Sequence, residues 1–232
     1  GPIEQAIGTS LRAVEDNRLS TDFADVSNLD EEDKPFERQD RRRLFAIGNR
    51  LWHSDSSFKT TPAKYSLLHA HSIPRKGGNT EFADMRAAYD ALDADMKQQV
   101  EGLICKHSQI YSRGKIGFTD LTDEERARFA PVRQDLVRSH PVTGRKSLYL
   151  SSHAGSVLGQ PGPEGNIFLQ DLIEHATQRQ FVYAHEWQVG DLVIWDNRQT
   201  MHRARPFHFA EPRDMRRTTL AGDGPTVPIS PP

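Results

Sequence analysis

Along most of this 232-residue chain, apolar and polar positions trade places in short runs, and a helical period appears in few places. Extended chain puts side chains two apart on one face, whereas a helix groups positions three and four apart. Strand-like runs occupy residues 23–29 (FADVSNL), 65–73 (YSLLHAHSI), 79–83 (NTEFA), 103–111 (LICKHSQIY), 146–151 (KSLYLS), 180–187 (QFVYAHEW), 191–195 (DLVIW), 199–205 (QTMHRAR) and 214–220 (DMRRTTL), with turn residues between many of them. Three segments predict helices. Asp84 caps MRAAYDAL, Thr122 and Glu125 form a capping box, and residues 163–177 place Ile167, Leu169, Leu172, Ile173 and Ala176 roughly on one face. Residues 30–43 (DEEDKPFERQDRRR) are charged and aperiodic and predict an exposed loop, or else a flap over the segment downstream. Many short strands with few helices predict a mainly β sandwich or barrel of the jelly-roll kind with peripheral helices. Strands and helices do not alternate, so a parallel α/β fold is not expected.

Composition narrows the function. A net charge of -2 gives no reason to expect a nucleic-acid partner. Cys105 is the single cysteine, which excludes an intrachain disulfide and a cysteine-based zinc site. No apolar run approaches the ~20 residues of a membrane span, and the start GPIEQAIGTSLRA lacks the features of a signal peptide. One domain over 1–232 is expected, in the cytoplasm, with an N-terminal segment preceding the opening residues.

The candidate chemistry starts at Trp52-His53-Ser54-Asp55. On an extended segment, His53 and Asp55 point to one face and can reach one metal. A His-x-Asp pair alone is also an ordinary surface pair. His202 follows an apolar strand and a polar turn in GDLVIWDNRQTMH, and a jelly roll can bring it to the same metal. Two imidazoles and a carboxylate are the ligand set of an open non-haem Fe(II) site. A core or surface histidine is the alternative. Arg213, Met215 and Arg217 alternate, so the two arginines share a face while Arg216 takes the other. Inward-facing guanidinium groups need anions, and carboxylates suit them; a solvated edge strand is the alternative. Gly77-Gly78 is a tight turn that delivers Thr80 to a strand. His69 and His71 share a strand face without a carboxylate and read as structural; His153 is a candidate cavity residue.

Four segments in this order, LWHSDSSF, GGNTEFADMRAAYDAL, LIEHATQRQFVYAHEWQVGDLVIWDNRQTMHRARPF and EPRDMRRTTL, resemble the Fe(II)- and 2-oxoglutarate-dependent dioxygenases of the taurine dioxygenase superfamily, on the side of the 2,4-dichlorophenoxyacetate (aryloxyalkanoate) enzymes. The resemblance implies a double-stranded β-helix (jelly-roll, cupin-like) core. It implies Fe(II) on His53, Asp55 and His202, and 2-oxoglutarate held by Thr80 and Arg213, with O2 as oxidant. It places Arg217 at the anionic end of a small-molecule substrate and Asn49 beside that substrate. The expected reaction hydroxylates the carbon alpha to the carboxylate of an aryloxyalkanoate, giving a phenol, a 2-oxo acid, succinate and CO2. A taurine or alkylsulfonate dioxygenase is the alternative within this chemistry. A zinc hydrolase on a similar barrel gives no role to Arg213 and Thr80, and a non-catalytic jelly-roll anion-binding protein is the alternative outside the chemistry. A homo-oligomer is expected.

Overall fold

The structure, a computed structural model, describes residues 24–228. The opening segment and Phe23, the head of the first expected strand, lie outside the described residues. The strands are β1 (Ala24–Asp25), β2 (Ala63–Ser72), β3 (Thr80–Asp84), β4 (Ile104–His107), β5 (Val132–Asp135), β6 (Val137–Ser139), β7 (Lys146–Leu148), β8 (Ala154–Val157), β9 (Val182–His185), β10 (Leu192–Asp196), β11 (Thr200–Ala204) and β12 (Asp214–Ala221). The helices are α1 (Arg41–Ala46), α2 (Met85–Asp90), α3 (Ala94–Val100), α4 (Gln109–Lys115), α5 (Asp123–Arg128) and α6 (Gly162–Ala176).

Two antiparallel sheets, ordered β1-β12-β2-β10 and β11-β3-β9, carry the centre of the molecule. The pleat of β2 explains its place. Ser66, Leu68 and Ala70 are buried, while Tyr65, Leu67 and His69 between them are half-buried. Leu68, Ala70, Trp195 and Met215 of the first sheet pack with Phe82 of β3 and with Trp187, just beyond β9. This is the mainly β, jelly-roll core with peripheral helices that the strand pattern predicts. A second apolar cluster joins α2 and α6 to β7 and β8, through Met85, Leu148, Val157, Leu169 and Leu172.

Several boundaries differ from expectation, each for a local reason. The charged stretch 30–43 is not all loop, because Asp40 accepts from the Arg42 N–H and starts α1. The run 103–111 changes period at Ser108, whose hydroxyl accepts from the Ile110 N–H and turns the chain from β4 into α4. The first and sixth runs shrink to Ala24–Asp25 and Val182–His185, the latter preceded by a 3-10 turn at Arg179–Phe181. α3 and strands β5, β6 and β8 carried too few apolar positions to stand out. In α6, Leu169, Leu172 and Ala176 are buried as expected, but Ile167 is 64% exposed. Two residues turn a helix by about 200°, so Ile167 faces away from Leu169.

That helix yields a paired test. Leu169→Ala leaves a hole in the second cluster and lowers unfolding free energy by about 2–5 kcal/mol. Ile167→Ala changes it by no more than about 0.5 kcal/mol. Chemical denaturation of both variants measures the contrast.

Candidate metal centre and cavity

His53 and His202 meet through their backbones before their side chains meet. The His53 N–H donates to the His202 carbonyl at 3.0 Å, and the His202 N–H returns a bond of 2.8 Å. Their rings then lie 4.2 Å apart, centroid to centroid. Asp55 follows in the turn that leaves this bridge, not on an extended strand as the spacing implied. Its carboxylate oxygens lie 3.9 Å from His53 Nε2 and 3.8 Å from His202 Nε2. One donor atom from each of the three buried residues falls within 4.8 Å of the others.

Protonation suits these atoms for a metal. His53 Nδ1 lies 2.7 Å from the Leu51 carbonyl, so it carries the proton and leaves the Nε2 lone pair free. Burial lowers both imidazoles, His202 to about 3 with His53 adding to the effect. Burial opposes the charge on Asp55, but Arg217, His202 and His53 outweigh it and bring the carboxyl to about 2. The set is therefore one carboxylate and two neutral imidazoles near neutral pH, the forms that ligate. His202 packs on Trp195 and Phe82, and its Nδ1 is buried without a hydrogen-bond partner among the described residues.

A buried network fixes Asp55. Ser66 Oγ donates to Asp55 Oδ2 at 2.7 Å, and Arg217 Nη1 donates to Oδ1 at 2.8 Å. Asn197 Oδ1 accepts from the Asp55 N–H and from Trp195 Nε1, while its Nδ2 donates to Ser66 Oγ. Asn197 and Ser66 are fully buried. Neither stood out as a site residue, although Asn197 sits in the WDNR turn that drew attention to His202.

His53 and Asp55 of the triad line a cavity of about 190 Å³, and His202 stands behind them. Arg213 and Arg217 both line it, as their shared strand face implied, and Asn49 lines it too. A register shift between Asp214 and Met215 separates the two arginines' surroundings. Arg213 reaches the Gly78 carbonyl at 3.4 Å, lies over the Phe207 ring, and has no carboxylate partner among the described residues. Burial lowers it to about 10, which leaves it charged at neutral pH. Gly77 and Gly78 have φ of +79° and +76°, a left-handed turn that brings the chain past Arg213 into β3. Thr80 is not brought to the cavity wall; its hydroxyl is buried and accepts from Trp187 Nε1 at 3.0 Å. His153 and Arg113 line the cavity as well. The His153 position was anticipated, whereas Arg113 carried no local signal. Phe36, Phe45, Phe58, Phe207 and Phe209 make the wall aromatic.

Comparison with known proteins agrees with this geometry. The chain is 46% identical over 202 residues to the alpha-ketoglutarate-dependent 2,4-dichlorophenoxyacetate dioxygenase of Cupriavidus pinatubonensis, covering 87% of this chain and 70% of that protein. It is 40% identical over 214 residues to the (S)-phenoxypropionate/alpha-ketoglutarate-dioxygenase of Sphingobium herbicidovorans, covering 88% and 74%. The crystal structure of AAD-2 in complex with Mn(II) and N-oxalylglycine superposes with a TM-score of 0.95 at 57% identity, over 98% of this chain and 78% of that one. The model of the taurine catabolism dioxygenase TauD, TfdA family matches residues 5–219, and the chain belongs to that family.

Proposed function

We propose that this protein is an Fe(II)- and 2-oxoglutarate-dependent oxygenase that hydroxylates the carbon alpha to the carboxylate of an aryloxyalkanoate such as 2,4-dichlorophenoxyacetate. The observation that carries the reading is the His53–Asp55–His202 set in ligating protonation states, with His53 and Asp55 on the wall of a cavity rich in arginine and phenylalanine. The donor chemistry fits Fe(II), with two neutral imidazoles and one carboxylate leaving other positions open. Bound iron supplies oxygen activation coupled to decarboxylation of 2-oxoglutarate to succinate and CO2. The names of the relatives, and the Mn(II) and N-oxalylglycine in AAD-2, support the same pairing of metal and 2-oxo acid.

The chain's own residues hold and orient. Arg213 is a buried cation without a carboxylate partner among the described residues, which supports its role at the far carboxylate of 2-oxoglutarate. Thr80 is assigned to the same ligand as the expected partner of Arg213; it stands behind the cavity wall beside the Gly77-Gly78 turn, and the role requires its hydroxyl proton, which the Trp187 bond leaves free, to turn toward the ligand. Arg217 and Asn49 line the cavity, which supports a place on the substrate side. The phenylalanines give an aryl group an apolar seat and exclude water from it. A hydroxyl placed on the carbon next to the ether oxygen forms a hemiacetal, which collapses to a phenol and a 2-oxo acid. Exposed Leu192 and Ile194 on the edge strand β10 support the homo-oligomer in the same reading. Among the described residues no helix is long and apolar enough to cross a membrane; a cytoplasmic location is part of the proposal.

Succinate formation from 2-oxoglutarate tests the reading. The wild-type chain with Fe(II) should release succinate with 2,4-dichlorophenoxyacetate and not with taurine, and Asp55→Ala should abolish release; turnover of taurine alone would overturn the substrate class. Asn197→Ala, which frees the Asp55 turn, should lower Fe(II) affinity by about 10- to 100-fold, read by metal titration. Arg213→Met should raise the KM for 2-oxoglutarate by about 10- to 100-fold, the cost of one charge-assisted contact.

A further inference from the structure

Three arginines stand in a row at Arg41, Arg42 and Arg43, and the fold gives them different company. Arg41 pairs with Glu125 of α5, and Arg42 pairs with Asp40 and Glu31. Arg43 has no carboxylate partner among the described residues. Its Nη1 donates to the Arg38 carbonyl at 2.8 Å, and its guanidinium lies over the Phe209 ring. Arg50 ends the 3-10 turn that follows α1 and likewise has no carboxylate partner among the described residues. Burial lowers its guanidinium, and the neighbouring charge of Arg43 adds to the effect.

Arg43 and Arg50 line the cavity and are half-buried, whereas Arg113 and Arg213 line it and are buried. The first two therefore stand where the cavity meets solvent. Arg205 of the same wall faces Glu81, and Arg217 holds Asp55. The carboxylates of the wall are Asp55, in the metal centre, and Asp25, opposite Arg216 on β12. Two guanidinium groups side by side repel, and partial burial strengthens the repulsion. Natural chains keep such local conflicts at functional sites. Unmatched cations at the mouth of a cleft concentrate anions there and speed their entry. The gain grows with the charge of the ligand.

We propose that Arg43 and Arg50 form an outer capture point, which draws anionic ligands to the cavity mouth, dianions more than monoanions, and passes them inward. This rests on the oxygenase reading, in which 2-oxoglutarate carries two carboxylates and the organic substrate one, and it leaves Arg213 and Arg217 as the resident contacts. Capture differs from anchoring in its kinetics. It acts on the association rate and leaves the dissociation rate alone. It also fades as salt shortens the Debye length, from about 30 Å at 0.01 M to about 3 Å at 1 M.

Stopped-flow tryptophan fluorescence of the Mn(II)-loaded chain, mixed with N-oxalylglycine as the dianion or phenoxyacetate as the monoanion, tests it. At about 0.01 M salt, Arg43→Gln and Arg50→Gln should each slow association of N-oxalylglycine by about 3- to 10-fold and of phenoxyacetate by less, with dissociation within about twofold. Arg50→Lys, which keeps the charge, should stay within about twofold of the wild-type association rate. At about 1 M salt all variants should converge on the wild type. Unchanged association at low salt in both Gln variants overturns the proposal. So does a loss that persists at high salt or falls on dissociation, since either marks a resident contact or a packing effect. No binding of N-oxalylglycine by the metal-loaded wild type sinks the oxygenase reading and capture with it. Salt-dependent capture without succinate release from 2-oxoglutarate leaves capture standing and sinks the oxygenase reading alone.

Discussion

A carboxylate sealed from water must either lose its charge or be surrounded by groups that stabilise it, and Asp55 follows the second course. Arg217 of β12, Ser66 of β2 and the Asn197 turn after β10 all converge on it. Those three contacts come from neighbouring strands of one sheet, so the register of β10, β2 and β12 and the charge of Asp55 are one constraint. A slip of one residue in β2 would send Ser66 to the other face and leave the acid without its donor. The alternation of β2 and the protonation state of the metal centre are thus set by the same pleat.

The cavity beyond is unbalanced in charge. Among the described residues, Arg113 and Arg213 are buried cations without carboxylate partners, each lying over a phenylalanine ring. Stacking satisfies the flat face of a guanidinium and leaves its edge donors to be met by something else. Two such residues, with separate neighbours, leave the cavity with an excess of positive charge that suits anionic ligands. The family membership and the charge of the wall point to the same kind of ligand.

Local signals in the chain were legible and distant ones were not. Asp84 and the Thr122–Glu125 box announced α2 and α5, because capping is written within four residues. The alternation of Arg213, Met215 and Arg217 placed both arginines on the cavity side. His53, Asp55 and His202 could be named from motif order, but the backbone bridge that joins the histidines has no sequence signature. Arg113 was invisible for a similar reason: its place in the wall is set by Gly48, Asn49 and Phe45, which approach it only in space. Thr80 lay in a legible motif, yet its hydroxyl turned to Trp187, a partner no spacing rule names. The α4 boundary was missed because LICKHSQIY reads as one apolar run until Ser108 is seen to cap.

The reciprocal pair of amide bonds between His53 and His202 has a consequence for how the centre can come apart. The backbones of the two histidines cannot separate unless both bonds break, and His202 lies on β11, paired along its length with β3. A fluctuation that spreads the ligands is therefore also a fluctuation that unzips part of the minor sheet. The metal centre has little local looseness of its own, and its lifetime is tied to that of the sheet that carries it.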